Sequence, residues 1–344
     1  EVTGYEGFID KYFNSKNQLT VQDYKNSDEL TEYIKEKLKI DNSVVNLSDA
    51  EALQEFNRQV TAKYAQELTQ YMREINPSQT LTQDEALTAF KALTPEQQWP
   101  FVSKAFYSEL RDAGREYSKV GKSGYARGFE AIATLFPSEG ATGDLSLLFS
   151  QIKTEAGGDI NIFVPNGKVN AGQTTPPAES GSSKTADQLG IIAQSTGAVR
   201  AFVKDDFAVN ESRIFTLGGG DILMWSSEGD IDAGKGAKTA VSAPPPVPIT
   251  DKNGITTFKF LSVAGSGIRS ILVDKDTQPG DVDLIAPNGE VNAGDAGIGA
   301  AGNLNIAALR VVGADNIQVG GISTGVPVAD TGGLGGSLSG VSNL

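Results

Sequence analysis

Three aspartates are the first residues in this chain whose type and spacing could do chemistry. Asp159, Asp221 and Asp281 follow Gly158, Gly220 and Gly280, and each opens a similar phrase: "GDINIFVPNGKVNAG", "GDILMWSSEGDIDAG" and "GDVDLIAPNGEVNAG". Carboxylates recurring at one place in a stacked structure could line up to bind cations or sugar hydroxyls. Turn chemistry accounts for them differently, and this reading is preferred: an aspartate after a glycine at a corner satisfies backbone amides left free there, so its return at each corner is a geometric requirement.

Other candidates weaken in the same way. "DKDTQPGDVD" (274–283) has calcium-like carboxylate spacing but lacks the glycine at the sixth loop position and the glutamate at the twelfth, so it reads as a charged loop. "LGGGDI" (217–222) has neither the Lys-Ser/Thr nor the helix of a phosphate-cradling loop and reads as a tight corner. Trp225 stands on the strand face opposite Met224 and is the candidate recognition residue, since exposed aromatics grip sugars. Its equivalents Phe163 and Ile285 are apolar, which favours a face covered by the helical part of the chain. Arg111, Arg115 and Arg127 could bind an anion, but in a glutamate-rich region they read as surface ion pairs. The sequence has no histidine and no cysteine, which excludes thiol and His-assisted catalysis and the common zinc sites. No catalytic residue, metal ligand or cofactor-binding residue is assigned, and no enzymatic activity is expected.

These residues must be positioned by 344 residues, enough for two or three domains. The formal charge of −14 disfavours nucleic acid and anionic lipid as partners. No apolar run of about 18 residues is present to span a bilayer as a helix. The chain begins at Glu1 rather than methionine and reads as a processed piece or part of something longer.

Character changes near Pro137. Before it, apolar residues recur at helical spacing. Ser48 with Glu51 and Thr82 with Glu85 stand at capping-box spacing. Leu53, Phe56, Val60, Tyr64, Leu68, Tyr71 and Ile75 form one stripe, and Val102, Phe106, Leu110 and Ala113 another. "SDELTEYIKEKLKI" and "GYARGFEAIATLF" read as two further helices, and Pro100 is expected to interrupt or restart the helix opened by Thr94-Pro95. After Pro137, glycine is abundant and the three phrases govern. They share Gly167, Gly229 and Gly289, and close on Gly172, Gly234 and Gly294. Ile160/Ile222/Val282, Ile162/Met224/Leu284 and Val169/Ile231/Val291 stay apolar between mostly polar neighbours, so each copy is two short strands joined by a tight turn. Partial copies start at Gly143, Gly197 and Gly302; the starts at 197 and 220, and at 280 and 302, lie 23 and 22 residues apart, a length that suits one coil of a solenoid. A sandwich of hairpins gives no reason for the repeated Gly-Asp opening. "QTTPPAESGSSK" and "SAPPPVPITDKNG" then read as loops thrown out from the coils. The expected fold is α+β and multidomain: a helical domain over 1–137, a short right-handed parallel β-solenoid (β-helix) over 138–328, and a Gly/Ser-rich C-terminal tail over 329–344.

"FYSELRDAGREYSKVGKSGYARGFEAIATLFP", "RIFTLGGGDILMWSSEGDIDAGKGAKTAVSAPPP" and "GDVDLIAPNGEVNAGDAGIGAAGNLNIAALRVVGADNIQVGG" carry a further signal. With the first repeat they resemble the C-terminal region of large filamentous-haemagglutinin-like exoproteins, over about residues 85 to 328. The resemblance implies a parallel β-helix, two-partner secretion through an outer-membrane partner, release or residence at the bacterial cell surface, and a role in adhesion or biofilm. It supplies no catalytic residues. The first functional expectation is therefore an extracellular structural protein that assembles with copies of itself into a filament, by strand addition of "EVTGYEGF" or the C-terminal tail onto a neighbour. The second is an adhesin module that recognises a glycan or surface receptor without polymerising, and the third a polysaccharide-active enzyme.

Overall fold

The computed structural model describes residues 4–17, 19–41, 46–137, 140, 142–172, 184, 188–236, 247–250, 256–259, 265–273 and 276–327. Six α-helices come first: α1 (Tyr5–Phe13), α2 (Ser27–Ile40), α3 (Asp49–Ile75), α4 (Gln83–Lys91), α5 (Pro95–Val120) and α6 (Ala126–Leu135). Their starts follow local chemistry. The Ser48 hydroxyl accepts from the Glu51 amide at 3.4 Å while the Glu51 carboxylate accepts from the Ser48 amide at 2.8 Å, and Thr82 with Glu85 repeats the arrangement. Leu53, Phe56, Val60, Tyr64 and Leu68 are buried, as are Val102, Phe106, Leu110 and Ala113.

Two helical expectations are corrected. Pro100 does not interrupt α5, which runs through it. The proline removes a single i→i−4 bond, and the carbonyl thus freed belongs to Glu96, an exposed residue in the first turn where water can serve it. "EVTGYEGF" is not a free strand either: from Tyr5 onward it is α1, whose Phe8, Tyr12 and Phe13 are buried in the helical core.

From Leu145 the chain forms strands that stack in three parallel ladders, each with a register of six rungs. The first aligns Ile160, Val199, Ile222, Val282, Leu304 and Ser323. The second aligns Leu145, Val169, Phe207, Ile231, Val291 and Val311. The third is a column of isoleucines: Ile152, Ile191, Ile214, Ile268, Ile298 and Ile317. The chain visits the three ladders in constant order, so the strands build a nearly closed parallel stack with solenoid-like connectivity. The two halves of each phrase lie in adjacent ladders instead of pairing as a hairpin, those of the third phrase running on as one strand, Val282–Asn292. Among the described residues one strand pair is antiparallel, Val247–Thr250 with Thr256–Lys259. Its first strand lies in the second expected loop, which is therefore not wholly irregular, and its second follows that loop; the rest of the loop, most of "QTTPPAESGSSK" and the tail at 329–344 fall outside the described residues.

The alternating apolar positions fill the interior. Ile160, Ile162, Val169, Ile222, Met224, Ile231, Val282, Leu284 and Val291 belong to one buried cluster with the isoleucine column. The repeated glycines serve the approach of one coil to the next. A Cβ on Gly280 would overlap the carbonyl oxygen of Gly220, and one on Gly220 would overlap that of Gly197, so coil backbones meet directly at this corner. Gly234 adds a φ of +91°, which side-chain-bearing residues rarely adopt.

The contrast with a helical glycine gives a test. Gly280→Ala should cost at least about 2 kcal/mol, because the coils must part to admit the methyl group. Gly7→Ala in α1, where nothing lies within 4 Å of the added Cβ, should leave stability unchanged or raise it by about 0.5–1 kcal/mol. Urea denaturation of the two variants checks the difference.

Candidate functional site

The repeated aspartates stand at the corner before the first ladder, and each reaches the following coil. Asp159 Oδ1 accepts from the Ala198 amide at 2.9 Å, Asp221 Oδ1 from the Asp281 amide at 2.9 Å, and Asp281 Oδ1 from the Asn303 amide at 2.8 Å. Asn303 Oδ1 continues the line to the Ile322 amide at 2.9 Å. Amide capping is thus what these residues do, but across coils and not within their own turn. A second line runs at the next corner, where Asp206 caps the Asp230 amide at 3.0 Å and Asp230 caps that of Glu290 at 2.8 Å. Asn170, Asp232 and Asn292 cap within their own coil, onto Gly172, Gly234 and Gly294.

The second oxygen of each repeat aspartate faces a cation. Asp159 Oδ2 pairs with Arg200. Asp221 and Asp281 instead face α5: Arg111 Nη2 lies 3.6 Å from Asp221 Oδ2, and Arg115 Nη2 lies 3.2 Å from Asp281 Oδ2. Arg115 also holds Asp283 through a fork, Nε to Oδ1 at 2.9 Å and Nη2 to Oδ2 at 2.8 Å. Asp283 is 1% exposed. Burial pushes its carboxyl pKa up, Arg115 and Arg111 pull against that, and the hydrogen bonds that Arg115 donates to Asp283 raise the pKa of its guanidinium. The three arginines do form ion pairs, as expected, and what is corrected is their place. Arg111 and Arg115 tie the helices to the coils, and Arg127, 8% exposed, is enclosed in the helical part with Glu109 at 2.9–3.0 Å.

Trp225 is corrected as a recognition residue. It is 1% exposed, with its ring 5.5 Å from Phe129 and 6.1 Å from Tyr125, and Gly128 of α6 leaves room for its edge. It belongs to an outward row, Phe163, Phe202, Trp225, Ile285 and Ala307, which the helices cover. Phe106 packs on Phe163 and Phe202, Tyr107 donates to the Ile162 carbonyl at 2.6 Å, and Gly114 admits Ile285. A mid-helix glycine costs about 1 kcal/mol relative to alanine, and Gly114 and Gly128 stand where a methyl group would collide with the sheet.

This arrangement can bind a helix to a stack of coils; the described carboxylates at the corners are engaged by backbone amides and arginines. Among the described residues no cluster of three acidic, histidine or cysteine side chains is placed to hold a metal ion, and no helix is long and apolar enough to cross a membrane. Residues 219–328 match a family model described as filamentous haemagglutinin family outer membrane protein. No curated protein and no solved structure matches the chain. The resemblance drawn from the sequence blocks is thus shown for the stretch that holds the second and third phrases.

Arg115→Met should cost about 2–4 kcal/mol by leaving Asp283 buried without its fork. Arg111→Met should cost no more than about 1 kcal/mol, because its pairing is loose. Adding Asp283→Leu to Arg115→Met should recover most of the loss, since Leu223 already occupies the matching position one coil earlier. Guanidinium denaturation of the three variants tests that order, and equal losses for the two arginines would contradict the assignment.

Proposed function

We propose that this chain is an extracellular structural subunit of the filamentous-haemagglutinin kind, a surface-associated adhesin or fibre component that assembles with copies of itself in adhesion or biofilm. In this reading the parallel stack is a right-handed β-helix, the hand that parallel strand crossovers adopt almost without exception. The protein is secreted or held at the bacterial surface, with an outer-membrane protein as its secretion partner, in line with the family description matched by residues 219–328. No catalytic role is assigned.

The observation that carries this reading is the direction of the ladders. All strands in them run one way, and among the described residues the end strands pair on one side only: Gln151–Thr154 and Ile160–Val164 at the first end, and Ile317–Val319 at the other. Such ends are unlike each other, so joining them is heterologous and propagates as a line.

One observation favours a module that recognises a glycan or receptor without polymerising. The line of corner side-chain acceptors stops at Asn303, because the next corner residue, Ile322, has no side-chain oxygen to offer a further coil.

Sedimentation velocity over a wide concentration range, with electron microscopy of the same samples, separates the two. The structural reading expects concentration-dependent rods whose length grows by whole subunits. Monomers alone at every concentration would contradict it and leave the non-polymerising module.

A further inference from the structure

Arg269 lies on the outer side of the third ladder, next to inward Ile268, and its side chain runs along the stack. It crosses Gly299 of the next coil and reaches Gln318 of the one after, with which it shares a register row. Nη1 donates to Gln318 Oε1 at 3.1 Å and Nη2 to the Ala296 carbonyl at 3.3 Å. Gly299 is what lets the guanidinium lie flat, since a Cβ there would stand 2.9 Å from Nη1. The residue is 5% exposed, and among the described residues its Nε has no hydrogen-bond partner and its guanidinium no ion pair with a carboxylate. Arg115, Arg127 and Arg200, by contrast, each have an acidic partner. Burial without a counter-charge is unfavourable for a cation, and here it lowers the arginine's pKa.

This cation borders a cavity of about 350 Å³ whose other walls include Ile271, Ala301 and Val319. That volume is at the small end for ligand sites, the size of a monosaccharide or an amino acid. The formal charge of −14 makes a general anion-collecting surface an inadequate explanation for a single sheltered cation. Nη1 and Nη2 each keep one N–H beyond their bonds to Gln318 and Ala296, enough for one monoanion, and the planar group matches a carboxylate.

We propose that the Arg269 cavity is a binding site for a small carboxylate with a compact, partly apolar body, held by the guanidinium over the Gly299 gap. The shared chemistry admits an acidic sugar or an acylated amino acid, and the site acts independently of whether the protein polymerises.

Calorimetric titration of the full chain with two matched pairs tests this: methyl glucuronide against methyl glucoside, and N-acetyl-leucine against its amide. The acidic member of at least one pair should bind tenfold or more tightly than its neutral partner, and the pair that responds identifies the body. Arg269→Met should abolish that binding while its unliganded melting temperature holds or rises, because an uncompensated cation has gone. Gly299→Ala, which displaces the guanidinium, should weaken the same binding at least tenfold. Equal response to acidic and neutral members of both pairs, a response to sodium sulfate alone, or unchanged binding in Arg269→Met would overturn the proposal. Should Arg269→Met fail to fold, the matched pairs and Gly299→Ala decide it.

Discussion

Two periods of nearly equal length meet along one face of this protein, and the rest of the structure depends on their agreement. Parallel strands stack about 4.8 Å apart, while one turn of an α-helix advances about 5.4 Å. A helix laid along a stack of coils therefore offers one side chain per turn to one rung. Arg111 and Arg115, a turn apart, meet Asp221 and Asp281, which lie on adjacent rungs. Phe106, Tyr107 and Gly114 follow the same course across the aromatic row, from Phe163 to Ile285. The mismatch between the periods is small enough for flexible arginines to absorb over this span.

That agreement explains what the repeated phrase keeps. Its glycines are fixed because coil backbones touch where a Cβ would stand, and its inward apolar residues because they fill a common interior. Its aspartates do two things with two oxygens: Oδ1 ties one coil to the next, while Oδ2 is offered outward, to Arg200 or to α5. The outward positions vary according to what lies over them. Asn161, Arg200, Leu223, Asp283 and Asn305 share one row, and Asp283 is tolerated in its buried place because Arg115 reaches it.

Much of this was legible in the sequence where the cause is local. Capping boxes placed the starts of α3 and α4, and period-two alternation placed the inward residues. The coil spacing announced parallel stacking, and the apolar equivalents of Trp225 announced a covered face. What escaped has non-local causes. Arg111 and Arg115 sit at ordinary helical spacing, and nothing near them in the chain says that their partners lie more than a hundred residues away. The aspartates were recognisable as amide caps, but the amides they cap belong to another coil. The aromatic helix α1 lacks a side-chain cap at Gly4 and so lacks a start signal. Arg269 interrupts an outward row that reads Ile192 and Phe215 before it, and only the fold reveals that Gly299 makes room for its side chain.

The central claim is that helices and coils share one core through the outward row, and Trp225 reports on it. The chain has two tryptophans, so Trp99→Phe leaves Trp225 as the only indole emitter. In that variant the account predicts blue-shifted emission shielded from iodide and acrylamide, lost on denaturation in the same transition as the helical circular dichroism. Emission quenched as freely as that of exposed indole, or a fluorescence transition separated from the loss of helix, would contradict it.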